Sequence, residues 1–192
     1  MKYCLFFAVF SFCSTKVMSQ SLFKVIEVSR SDVYSSQIEG DTINKYFRIV
    51  LAEDALGSSA AYPIVLPENA DTLKAIAELL TYEGDTKLCV FPIRNYNRAR
   101  SQIFLGGDKN YSLQVEALFI INQLVYKEPF NYSSYPILVD KKTNKIDCIN
   151  GKVIYKAYEA YRNWYKELMR KGIGYIRNES IMPLDGSGVK WY

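Results

Sequence analysis

The densest chemistry in the chain lies in seven consecutive residues, Arg94-Asn95-Tyr96-Asn97-Arg98-Ala99-Arg100. Three guanidinium groups, a phenol and two amides at this spacing could grip a carboxylate, a phosphate or an acidic protein surface. On a strand, Arg94, Tyr96, Arg98 and Arg100 share parity and project from one face, which makes them the candidate binding residues. No glycine cradle accompanies them, so a nucleotide phosphate loop is not indicated. The plainer reading of the same residues is a charged edge strand that discourages aggregation.

Two other groupings deserve weighing. Tyr155, Tyr158, Tyr161, Trp164 and Tyr165 recur at helical spacing near the C-terminus. Exposed, such rings anchor partners; buried, they are the core face of an amphipathic helix, which is the expectation here. The carboxylates Glu39, Asp41, Asp54, Asp85, Asp108 and Glu116 are the raw material for glycoside hydrolysis, which needs two carboxyls set about 5–10 Å apart. Nothing in the sequence brings two of them together, and capping or turn formation accounts for Asp41, Asp85 and Asp108. No catalytic residue is assigned.

Histidine is absent from the 192 residues, and hydrophobic residues make up 49% of them. The missing imidazole excludes Ser-His-Asp and Cys-His nucleophiles and every His-ligated zinc or haem site. No calcium-type loop of spaced acidic residues and glycine occurs either. The sequence therefore predicts no cofactor and no metal site.

The N-terminus has the parts of a secretory signal: Lys2, the ten-residue apolar run Cys4–Cys13, and Val17-Met18-Ser19 before Gln20. Residues 1–19 are read as a signal peptide cleaved after Ser19, and residues 20–192 as one globular domain. The apolar run is too short to span a bilayer, which takes about 20 residues. Cleavage removes Lys2 and Lys16, leaving 22 basic against 20 acidic residues, a net charge of +2. So small an excess argues against general nucleic-acid binding. Cleavage also removes Cys4 and Cys13. Cys89 and Cys148 remain, and in an oxidising compartment two readings stay open: a disulfide, or two separate buried thiols.

The elements that must position these residues follow from apolar spacing. Leu22–Val28 reads as a strand. Apolar residues at helical spacing predict helices over about 42–56, 70–83, 112–127 and 152–171, although Tyr46–Leu51 alone also fits a strand. Asn69 or Asp71 can cap the second helix, and Gly172 can end the last. The third is apolar around most of its circumference and should be the central buried helix. Tyr135–Val139 and Lys145–Ile149 flank Lys141-Lys142-Thr143-Asn144 as a hairpin. Three aromatic-Pro-Ile triplets, at residues 62–64, 91–93 and 135–137, are read as punctuation, because proline fixes φ and removes a backbone donor.

These readings predict a single α+β domain of three to four helices with short strands or hairpins. The expected function is protein–protein recognition by a small exported protein of the inhibitor or immunity kind, periplasmic or extracellular, and not catalysis. The competing expectations are a cell-wall or polysaccharide hydrolase with paired carboxylates, and an envelope scaffold.

Overall fold

The computed structural model describes residues 21–28, 45–54, 64–93, 109–126, 133 and 136–192, without the side chains of 91–93 and 109. Strand β1 (Phe23–Val28) pairs antiparallel with β2 (Tyr46–Leu51), from Phe23↔Leu51 to Val28↔Tyr46. On its other edge β2 meets β3 (Leu88–Ile93) in parallel through Phe47↔Cys89. Antiparallel β4 (Lys109–Ser112) completes the order β1-β2-β3-β4. The β3–β4 register shifts between Leu88 and Pro92, at the second aromatic-Pro-Ile triplet. Pro92 has no N–H to give to the ladder, and it stands opposite Asn110 just past the irregularity.

The helix expected over 42–56 is corrected here: its described part is β2. Tyr46, Arg48, Ile49, Val50 and Leu51 are all buried, so both faces of the strand are covered. Such a strand loses the alternation that marks a half-exposed one, and its continuous apolar run imitates helical spacing.

Helix α1 (Thr72–Leu80) starts at Asp71, whose carboxylate accepts from the N–H groups of Leu73 at 2.8 Å and Lys74 at 3.2 Å. This satisfies two of the orphan donors at the helix start. Helix α2 (Leu113–Tyr126) follows β4 without a loop, and all fourteen of its residues are buried. It is the central helix that its apolar circumference predicted. Four buried polar side chains lie on it, Gln114, Glu116, Asn122 and Gln123, and each must find partners inside the protein or cost stability.

A second sheet has the antiparallel order β6-β5-β7, with β5 (Leu138–Asp140), β6 (Ile146–Asp147) and β7 (Val189–Trp191). The hairpin expected around residues 141–144 is present. Helix α3 (Lys152–Lys171) packs Val153, Ile154, Ala157, Tyr158, Tyr161, Trp164 and Leu168 into the core. Gly172, at φ 85°, turns the chain into the short α4 (Ile173–Asn178). That left-handed backbone is available to glycine without the Cβ penalty. The terminal strand docks too: Trp191 stands edge-on to Phe119 with ring centroids 5.6 Å apart.

Gln114 joins these parts. Its N–H donates to Asp85 O (3.1 Å), and its side-chain Oε1 accepts from Gly84 N (3.0 Å). Its Nε2 donates to Ile149 O (2.6 Å), and its carbonyl accepts from Tyr158 Oη (2.8 Å). One residue thus binds the α1–β3 turn, the β6–α3 loop and α3. Gln123, by contrast, leaves its buried Oε1 without a partner among the described residues. Gln114→Ala should cost about 1–3 kcal/mol in urea unfolding, because it removes the hydrogen bonds to Gly84 N–H and Ile149 C=O. Gln123→Leu should cost less than about 1 kcal/mol or stabilise, since no hydrogen bond of its Oε1 is lost. Equal losses would contradict this accounting.

Candidate functional site

Arg94, Tyr96, Arg98 and Arg100 lie outside the described residues, as do residues 1–20 and the carboxylates of Glu39, Asp41 and Asp108. By sequence the arginine stretch belongs to the connection from β3 to β4.

The described carboxylates that sequence reasoning singled out serve the fold. Glu116 is 1% exposed, and its Oε2 accepts from Ile49 N at 3.2 Å, fastening α2 to β2. Asp85 accepts from the N–H of its neighbour Lys87 at 3.1 Å and pairs with that residue's Nζ at 3.3 Å. At Asp54 it is the main-chain carbonyl, not the carboxylate, that accepts from Lys24 Nζ at 2.7 Å. Glu78, not anticipated from sequence, receives the N–H groups of Leu22 (2.8 Å) and Phe23 (2.9 Å) and the Ser21 hydroxyl, anchoring β1 to α1. Glu78, Asp85 and Glu116 surround Tyr82. Partial burial and these three negative charges push its hydroxyl up to about 12, which leaves it protonated at neutral pH. Among the described residues no cluster of three or more His, Cys, Asp or Glu could hold a metal ion.

The aromatic groups of α3 divide. Tyr158 and Tyr161 are fully buried, and desolvation raises the Tyr158 hydroxyl far above its ordinary value. Tyr161 Oη donates to Asn122 Oδ1 (2.8 Å) and accepts from Trp191 Nε1 (2.9 Å). Trp164 Nε1 donates to Ile181 O at 3.1 Å. Tyr165 is half-buried, and its hydroxyl donates to Leu73 O at 3.0 Å. Tyr155 departs from the expected core face and is 62% exposed, because it lies on the side of α3 opposite Ala157, Tyr161 and Leu168.

Cys89 and Cys148 are both buried. Ser112 pairs with Leu88 on one edge of β4 and donates its N–H to Cys148 O on the other, at 2.9 Å. A strand therefore runs between the two cysteines. Two strand spacings are about 10 Å, beyond the roughly 7 Å that a disulfide bridges between Cα atoms. No disulfide joins them in the structure.

The outward features gather where the β5–β6 turn meets the start of α3. Asp140 Oδ1 accepts from Lys142 N (3.0 Å), Thr143 N (2.8 Å) and Thr143 Oγ1 (3.0 Å), while Oδ2 pairs with Lys156 Nζ at 3.3 Å. Lys141 N donates to Gly188 O (2.8 Å), and Asn144, at φ 56°, closes the turn through its N–H to Asp140 O (2.8 Å). The next carboxylate, Asp147, faces the N–H groups of Ile149, Asn150 and Val153 and so fills the N-terminus of α3. The chain approaches so closely at Gly151 that a Cβ there would overlap Asp147 Oδ2. Burial raises the Asp147 carboxyl, against the opposing pull of Lys145 and the three N–H groups.

These internal bonds leave Lys141, Lys142, Lys145, Lys152 and Lys156 exposed around one corner. The first four form no ion pair among the described residues, and Lys156 shares Asp140. At the other end of α3 the cations are answered: Glu167 pairs with Arg170 at 2.8 Å and Lys171 at 3.5 Å, and Lys171 lies over the Tyr175 ring at 4.7 Å. The sequence reading recognised the turn but not its charge. The signal was available, since residues 136–192 carry eleven basic against six acidic residues, and residues 20–135 eleven against fourteen.

A model of one protein family matches residues 31–192, described as a domain of unknown function (DUF4943). The chain belongs to the DUF4943 family. No curated protein and no solved structure matches it. The DUF4943 match takes in β2 to β7 and all four helices described here, and β1 falls outside it.

Two outcomes follow from this geometry. After denaturation, Cys89 and Cys148 should take up alkylating reagent equally with and without prior reduction, as read by mass spectrometry; a reduction-dependent difference would show a disulfide. The Asp140 carboxyl is lowered from 3.8 to about 2, chiefly by the Thr143 N–H and hydroxyl and by Lys156. Its folded value lies below its unfolded one, so its contribution to stability is present above pH 3.8 and is lost as the pH falls toward 2. Asp140→Asn should flatten the fall in melting temperature between those limits; an unchanged slope would show that Asp140 does not hold the turn.

Proposed function

We propose that this DUF4943 protein acts by recognising another protein, through the outer surface of its C-terminal half and the arginine stretch at residues 94–100. The observation that carries the reading is the contrast between interior and surface. Of the described carboxylates and phenols singled out for chemistry, Asp85, Glu116, Tyr158, Tyr161 and Tyr165 are engaged by the fold. The outer side of α3 and α4, however, leaves Tyr155 62%, Met169 53% and Tyr175 43% exposed among lysines and arginines. Flat rings and a flexible thioether beside cations are the side chains that make contact area at recognition surfaces. Arg94, Tyr96, Arg98 and Arg100 extend the same chemistry.

The reading includes export, supported by the charge and apolar pattern of residues 1–19. The Glu78 bonds to Ser21, Leu22 and Phe23 also show the fold engaging the chain just past that cleavage point. N-terminal sequencing of protein recovered from its source should begin at Gln20. Recovery of chains beginning at Met1 would remove export from the account.

The recognition test is chemical cross-linking in envelope and culture-fluid fractions. The native protein should capture one polypeptide in stoichiometric amount. A Tyr155→Ala/Met169→Ala/Tyr175→Ala variant should lose about tenfold or more of that capture, since aromatic anchors dominate such interfaces, at an unchanged melting temperature. An Arg98→Ala/Arg100→Ala variant tests the second stretch separately. Undiminished capture by both variants would overturn the assignment.

A further inference from the structure

Resting on that recognition reading, we infer that the lysine corner formed by the β5–β6 turn and the first turns of α3 docks an acidic polypeptide segment of the partner. The turn is pre-organised. Asp140 holds Lys142, Thr143 and Lys156, Lys141 N is bound to Gly188 O, and Lys145 N donates to Thr143 Oγ1 at 3.3 Å. A cationic surface whose backbone is already fixed pays little ordering entropy on binding. Its cations outnumber the carboxylates beside them. Four of the five lysines form no ion pair among the described residues, and Asp140 is committed to the turn. Asp147 lies at the start of α3, and Glu159 is the one exposed carboxylate on the adjoining turn of that helix.

Three observations favour a polypeptide over a phosphate polymer. The Asp147 carboxylate lies at the start of α3 beside Val153 N–H, so a phosphate there would meet a negative charge. The cations are all lysines, point charges without the bidentate fork that suits phosphate. Exposed apolar groups, Tyr155 and Ile149 at 62% and 45%, border them. A segment that alternates acidic and apolar residues complements both features, with the charges steering encounter and the ring supplying contact.

The test is fluorescence anisotropy with the purified protein and three labelled probes. These are a peptide of repeated Glu-Glu-Leu-Tyr units, an oligoglutamate of equal length, and an oligothymidylate of equal charge. The mixed peptide should bind tightest, and its affinity should fall as salt rises. K141E/K142E/K145E should weaken it about tenfold or more, as expected for a charge reversal at a steered interface. Tyr155→Ala should erase the advantage of the mixed peptide over oligoglutamate. Lys45→Glu, which reverses an exposed charge on β2's flank, should change little. Tightest binding of the oligothymidylate, or equal binding to native and K141E/K142E/K145E protein, would overturn the proposal. If the captured partner is still lost on mutating Tyr155, Met169 and Tyr175 while the peptide fails to bind, the acidic-segment claim falls and recognition stands. Failure of both experiments removes recognition itself.

Discussion

The structure depends on one buried amide. Helix α2 is covered on every side, which is favourable for Leu113, Val115, Leu118, Ile120 and Ile121 but leaves its polar residues no access to water. Gln114 resolves this at the junction where β4 becomes α2. All four of its hydrogen-bonding groups are engaged, with Gly84, Asp85, Ile149 and Tyr158. A buried amide left unpaired costs about 1–3 kcal/mol per group, so the three segments it touches cannot move independently without incurring that cost. Glu116 repeats the device two residues later, toward β2.

The same constraint shapes what the protein can do. The Trp191–Tyr161–Asn122 chain, the Tyr126 hydroxyl bound to Ile181 O at 2.6 Å and the Tyr158 hydroxyl bound to Gln114 O all place phenols inside the core. Phenols held this way specify packing, and burial raises the Tyr126 and Tyr158 hydroxyls away from the range of acid–base work. Chemistry available to other molecules is displaced to the surface, where the second sheet and α3 present lysines and isolated rings.

Periodic, local features were legible in the sequence. The expected 152–171 coincides with α3, because seven core residues recur on one face and Gly172 supplies the left-handed stop. The expected 112–127 matches α2 to within a residue at each end, and Asp71 is one of the two caps foreseen. What escaped is non-local or two-sided. Helix and strand both fit the apolar pattern around Tyr46–Leu51, because both faces of β2 are buried. Tyr155 shares the i, i+3 spacing of Tyr158 and Tyr161 but lies at the edge of that stripe and stays exposed. The partners of Gln114 lie 29 or more residues away in sequence and follow no short spacing. Of the candidate sites, the arginine stretch rests on sequence alone, while the lysine corner became visible once the Asp140 and Asp147 bonds showed how its few acidic charges are used. The interval from Asp147 to Gly151 was the local clue, a carboxylate placed one turn ahead of a helix start.

Native-state hydrogen exchange at Gly84 tests the central claim most directly. Gly84 lies in an exposed turn, where an amide ordinarily exchanges quickly through local opening. Because its N–H is held by Gln114 Oε1, it should exchange with the free energy of global unfolding, alongside the amides of α2 and the Ser112 N–H bound to Cys148 O. Exchange of Gly84 at the rate of a free turn, with α2 still fully protected, would contradict the account.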